Sequence, residues 1–90
     1  MRPEDLPERT HLIQIAEECA ELNQACLKLI RVMDGDSPVS EKKARENLLE
    51  EMADVTLCIK VKTTHMEDNE IHAIMVQKYK RWRDRINDKT

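Results

Sequence analysis

Apolar residues recur along this chain at helical spacing in three blocks. The first carries Leu12, Ile15, Ala16, Cys19, Leu22, Cys26, Leu29, Ile30 and Met33, a good 3.6-residue period. The second has two stripes, one of Leu48, Met52, Val55 and Ile59 and another of Leu49, Ala53, Leu57 and Val61. A surface helix needs only one stripe, so two predict a central helix buried on two sides. The third block carries Ile71, Met75, Tyr79, Trp82 and Ile86.

The breaks between the blocks are polar. Asp34-Gly35-Asp36-Ser37-Pro38 is the strong turn signal, with Gly35 suited to a left-handed helix end and Pro38 barring simple continuation. Met66-Glu67-Asp68-Asn69 is a weaker break. The pattern predicts an extended lead-in over 1–9 and helices over about 10–33, 41–65 and 69–87. Thr10 or Pro7 starts the first helix, Ser40 caps the second, and Asp68 or Asn69 caps the third. The expected fold is all-α and a single domain: a helical hairpin plus a third helix, in a bundle completed by homo-oligomerisation.

Acids interrupt the apolar stripes where charge is costly. Glu18 and Glu21 lie at one edge of the first helix's apolar face, and Glu51 and Asp54 sit between the stripes of the second. Counted outward from the hairpin loop, the two pairs fall level to within ~3 Å. Four carboxylates on one spot require either protonation or a bound cation. An acidic face is most often a solvated one with lysine partners at i+4. Here those positions hold Leu22, Ala25, Val55 and Cys58. Carboxylate oxygens select hard divalent ions, Mg²⁺ with Mn²⁺ as a substitute. No Cys or His stands at ligand spacing beside the acids, which speaks against zinc, and the one Glu-x-x-His pair, Glu8 and His11, lies at the chain's edge, which speaks against a di-iron centre.

Composition narrows the function classes. The 90 residues carry 18 acids against 15 bases, a net charge of −3, which disfavours a nucleic-acid polymer as partner. No apolar run approaches the ~20 residues of a membrane span, and the N-terminus lacks the apolar core of a signal peptide. Cys19, Cys26 and Cys58 read as buried reduced thiols, the usage of a cytoplasmic protein. A chain of this size buries only about 60 % of its unfolded surface, so its core alone is marginal.

The wording around the acids adds a family. Ile15-Ala16-Glu17-Glu18-Cys19-Ala20-Glu21-Leu22 followed by Glu50-Glu51-Met52-Ala53-Asp54-Val55 resembles the MazG-like all-α nucleoside triphosphate pyrophosphohydrolases, whose signature is Glu-Glu-x-x-Glu on one helix and Glu-x-x-Asp on a later one. The likeness extends from about Thr10 to Arg85 and is closest to the short single-domain members. It implies Mg²⁺-dependent cleavage of a nucleoside triphosphate between the α and β phosphates, giving a monophosphate and pyrophosphate. In that reading Glu18, Glu21, Glu51 and Asp54 match the metal ligands, and Glu17 orients or deprotonates the attacking water. The second stripe of the central helix, Leu49, Ala53, Leu57 and Val61, is expected to pair across a two-fold into a larger bundle, a homodimer or homotetramer.

Substrate contacts are sought among the cations. Lys28, two turns beyond Glu21, is either a phosphate contact or a solvated surface lysine. Lys78 and Arg81, in a basic tail that resembles the family's last helix, are the best phosphate candidates. Asn47, one turn before Glu51, binds a metal water or sugar in one reading and is a plain surface residue in the other. Trp82 stacks on a base or packs in the core. The competing class is a non-catalytic helical module for oligomerisation or for nucleotide and metal binding.

Overall fold

The computed structural model describes residues 1–88. It consists of three α-helices, α1 (Glu8–Met33), α2 (Glu41–Lys62) and α3 (His65–Asp88), preceded by a turn of 3₁₀ helix at Pro3–Asp5. Among the described residues there is no strand, so the class is all-α.

Each boundary has a local cause. The carbonyl of Pro7 accepts from the amides of Thr10 (2.9 Å) and His11 (3.2 Å), so α1 starts at Glu8 and Thr10 falls inside it. The lead-in is not extended throughout. Arg2 donates its amide to the Asp5 carboxylate at 3.1 Å, which closes the 3₁₀ turn, and this turn packs against α2. At the other end of α1, Gly35 has φ +79°. The amides of Gly35 and Asp36 return to the carbonyls of Val32 and Arg31 at 3.1 and 2.8 Å, a Schellman closure. Ser40 caps α2 as expected, its hydroxyl accepting from the Lys43 amide at 3.2 Å.

The corner between α2 and α3 differs from the expectation. α2 ends at Lys62, because Thr63 is extended, and α3 begins at His65. The cap is Thr64, not Asp68 or Asn69. The Thr64 hydroxyl accepts from the Glu67 amide at 3.1 Å, and Glu67 accepts from the Thr64 amide at 2.9 Å. This is a reciprocal capping box. The Thr63 hydroxyl bonds the Asp68 carboxylate, and Lys62 Nζ lies 3.8 Å from Glu67. The corner is built, not slack.

α1 and α2 pack as a hairpin, and the contact line is rotated from the one the apolar stripes predict. On α1 the covered residues are His11, Ile15, Glu18, Leu22, Ala25, Cys26, Leu29 and Val32. Leu12, Ile30 and Met33 of the predicted stripe stand at least half exposed. On α2 the line runs through Ala44, Asn47, Leu48, Glu51, Val55, Cys58 and Lys62, while Met52 and Leu49 face outward. The small Ala25 and Ala44, 1 % and 5 % exposed, let the helices approach and set this rotation. One consequence is that Glu18 and Glu51 lie in the contact line itself. Another is that α2 is covered on one side only.

α3 packs along neither helix of the hairpin, and all its residues from Asp68 to Asp88 are exposed. The radius of gyration is 16.8 Å, against about 12 Å for a compact chain of this length. No helix among the described residues is long and apolar enough to cross a membrane.

Candidate functional site

The acids meet across the hairpin. One carboxylate oxygen from each of Glu18, Glu51 and Asp54 lies within 4.8 Å of the others. Glu18 comes from the middle of α1, and Glu51 and Asp54 come from successive turns of α2. Glu18 and Glu51 are half-buried in the contact line and form the floor; Asp54 is exposed at the rim. Glu21, one turn along from Glu18 and exposed, stands near enough to hydrogen-bond both floor carboxyls.

The site is electrostatically uncompensated. Burial pushes the Glu18 carboxyl above the ordinary carboxylate range, and the charges of Glu21 and Asp54 push it further. Glu51 is raised by the same causes in the same order. No lysine, arginine or histidine among the described residues pairs with Glu18, Glu21, Glu51 or Asp54. Glu18 Oε2 and Glu51 Oε2 are buried without a hydrogen-bond partner. Buried carboxylate oxygens without partners, on two acids of one cluster, are what a divalent cation satisfies. Oxygens sharing one octahedral Mg²⁺ stand about 3 Å apart when cis and about 4.2 Å when trans, so these carboxylates would draw closer on binding one ion.

The other sequence candidates fall in different places. Helical projection at ~100° per residue puts Glu21, Lys28 and Glu17 on the side of α1 that flanks the acid cluster. Glu17 and Lys28 are exposed there, outside the three-carboxylate group. Lys28 is two turns beyond Glu21, ~10 Å along the axis. Asn47 is half-buried one turn before Glu51, on the cluster's side of α2. Lys78 and Arg81 are exposed on α3, which the fold carries away from the hairpin, and neither acts on Glu18 or Glu51. Trp82 is 60 % exposed, so within one chain it is not a core residue.

Sequence reasoning missed one neighbour of the cluster. The Cys58 thiol is pushed up by burial and then by the Glu18 and Asp54 charges, so it lies beside the acids. The signal was present: Cys58 is four residues after Asp54 and therefore one turn along the same face. His11, assigned nothing from sequence, is 5 % exposed near the start of the hairpin.

Comparison of the chain with protein-family models, with curated proteins and with solved structures returned no match.

Proposed function

We propose that this chain is a Mg²⁺-dependent nucleoside triphosphate pyrophosphohydrolase of the MazG-like type, cutting a ribo- or deoxyribonucleoside triphosphate between the α and β phosphates. The observation that carries the reading is the convergence of Glu18, Glu51 and Asp54 from two helices, with Glu21 beside them and two buried carboxylate oxygens unpartnered. In this reading Glu18, Glu21, Glu51 and Asp54 hold the metal. When bound, Mg²⁺ supplies charge neutralisation at the phosphates and a lowered pKa for water. The chain's own task is placement. The floor carboxylates fix the ion's position between the helices, and Asp54 at the rim leaves the outer side open to a polyphosphate. Glu17, on the flank next to Glu18, orients or deprotonates the attacking water. Lys28 and Asn47, on the same side of the hairpin, contact phosphate and sugar.

A second reading is favoured by one observation: the cations Lys78 and Arg81 do not meet the acid cluster within one chain. A non-catalytic helical module that binds metal or nucleotide would have no need of them. In the enzyme reading the working form is a homodimer or homotetramer, and the outward-facing Leu49 and Leu57 on the second stripe of α2 support this.

Product analysis over a panel of nucleoside triphosphates, with and without Mg²⁺, separates these readings. Metal-dependent release of monophosphate and pyrophosphate establishes the enzyme. Diphosphate and orthophosphate would overturn the bond assignment. Metal binding without turnover would leave the module.

A further inference from the structure

The flank of the hairpin that carries Glu21 and Asp54 continues past the acids toward the loop between α1 and α2. Projected at ~100° per residue, Lys28 falls within ~20° of Glu21 on α1, and Lys43 within ~20° of Asp54 on α2. On each helix the lysine lies about nine residues nearer the loop than the middle of the acid pair, ~13 Å along the axis, so the two lysines are level with each other. The other cations of the two helices point elsewhere. Arg9, Arg31, Lys42 and Lys60 project from the backs of the helices, Arg45 from the opposite flank, and Lys62 lies in the contact line at the far end.

Neither lysine on this flank has an acid of its own. Lys42 lies 4.0 Å from Glu46, Arg45 3.3 Å from Glu41 and Lys62 3.8 Å from Glu67. Lys28 and Lys43 are exposed and make no ion pair among the described residues. The positions four before and four after them hold Gln24 and Val32, and Val39 and Asn47, so no helical neighbour neutralises them. The two also differ from each other. A helical side chain leans toward the N-terminus of its own helix. For Lys28 that is toward the acids; for Lys43, on the antiparallel helix, it is toward the loop. Lys28 therefore stands over the middle of the run and Lys43 at its end.

We propose that Lys28 and Lys43 form a two-point clamp for a polyphosphate tail, Lys28 on the phosphoryl group next to the one at the acids and Lys43 on the terminal one, so that this flank selects triphosphates over diphosphates. Lysine suits the task, because a point charge on a flexible stem follows a phosphate chain without demanding a fixed geometry. Lys43, which sequence reasoning did not single out, becomes the residue that reads chain length. In cleavage between the α and β phosphates the clamped part is the leaving pyrophosphate, which is charged before and after the cut. The clamp therefore acts on binding more than on the chemical step. The inference rests on the acid flank being a polyphosphate site and adds the length of tail it takes.

The test titrates the full chain calorimetrically with Mg²⁺ alone, and then, in Mg²⁺, with a nucleoside triphosphate and its diphosphate. Both nucleotides carry a methylene in place of the α–β bridging oxygen, and the nucleoside is that of the triphosphate turned over best. Wild type is expected to bind the triphosphate about 10-fold more tightly than the diphosphate. Lys43→Gln is expected to weaken the triphosphate about 5–10-fold and the diphosphate less than about twofold, whereas Lys28→Gln weakens both about 5–10-fold. Lys43→Arg is expected to keep the preference. Lys42→Gln makes the same charge change on the back of α2 and is expected to alter neither affinity. In turnover of the natural triphosphate, Lys43→Gln is expected to raise KM by the factor seen in binding and to leave kcat within about twofold. Mg²⁺ binding alone is expected to be the same in every variant. Equal losses in Lys42→Gln and Lys43→Gln would show long-range charge and not a clamp. A wild type that binds Mg²⁺ and turns over without preferring the triphosphate would overturn the clamp and leave the metal site standing. Absence of both Mg²⁺ binding and turnover would remove the polyphosphate reading, and the clamp with it.

Discussion

The hairpin and α3 are built from the same kind of sequence and end in opposite situations. Both contain helices of more than twenty residues with an apolar stripe. In the hairpin, two stripes meet and small alanines let them close. In α3, the stripe meets nothing in its own chain. Local signals therefore suffice to specify a helix, but not to stabilise it, since an isolated helix is marginal in water and gains its stability from packing. The hairpin shows the converse difficulty. Its contact line is good enough to bury two carboxylates that apolar residues would fill at lower cost. The hairpin thus takes acids into its contact line while α3 leaves an apolar strip outside.

The largest effect is expected at the acid cluster. Asp54→Asn is expected to lower metal-dependent turnover by ~10³-fold or more, as removal of a group acting on the reacting centre does. The same change is expected to leave the thermal midpoint of the metal-free chain unchanged or higher, because the Asp54 charge opposes ionisation of both Glu18 and Glu51. Steady-state rates and melting curves of one preparation check both halves. A variant that loses its fold without metal would make Asp54 a structural acid.

Next comes the contrast in packing. Leu29→Ala, at the centre of the hairpin core, is expected to cost ~2–5 kcal/mol in denaturant unfolding. Met75→Ala on α3 is expected to cost under ~0.5 kcal/mol in dilute, monomeric protein and several-fold more where the chain associates. Unfolding curves at two protein concentrations separate the cases. Equal cost at both concentrations would mean that α3 is packed in a way the single chain does not display.

Much of this was legible in the sequence, and the failures have physical reasons. The three helices, Gly35 and Ser40 were set by local chemistry, and local chemistry is written in short windows. The level meeting of the acid pairs followed from loop length and helical rise. The rotation of the contact line did not, because Ala25 and Ala44 scarcely register as apolar in a stripe yet govern how closely two backbones approach. That rotation carried Glu18 from the edge of the face into its centre. The third helix's cap was readable as Thr64-His65-Met66-Glu67, a capping-box spelling, but the acidic run just after it offered competing caps. The open flank of α3 was not readable at all, since an amphipathic stripe has the same pattern whether its partner is the same chain or another.

A smaller effect tests the corner that keeps the two regions apart. Thr64→Ala removes the hydroxyl that caps α3 and is expected to cost about 1 kcal/mol. The loss is expected as fraying at the start of α3, seen as faster amide exchange at Glu67 and Asp68, with the hairpin amides unchanged. Equal acceleration in α1 would mean that the corner and the hairpin unfold as one unit.

The last comparison is between carboxyls that the fold moves in opposite directions from the ordinary value of 4.5. Glu67 is lowered, first by its bond to the Thr64 backbone and then by Lys62. Its contribution is fully present above 4.5 and is lost as pH falls through the folded value. Glu18 and Glu51 are raised, so ionising them costs the fold more than it costs the unfolded chain. That cost is absent below 4.5, grows as pH rises through their folded values, and stays constant above them. The two windows do not overlap. In metal-free protein, Glu67→Gln is therefore expected to flatten the acid limb of the melting-temperature profile and leave the upper limb alone. Asp54→Asn is expected to weaken the decline on the upper limb and leave the acid limb alone. Mg²⁺ is expected to act like the second change and not the first, by compensating the ionised acids. A profile in which Mg²⁺ shifts both limbs equally would place its binding outside the hairpin cluster.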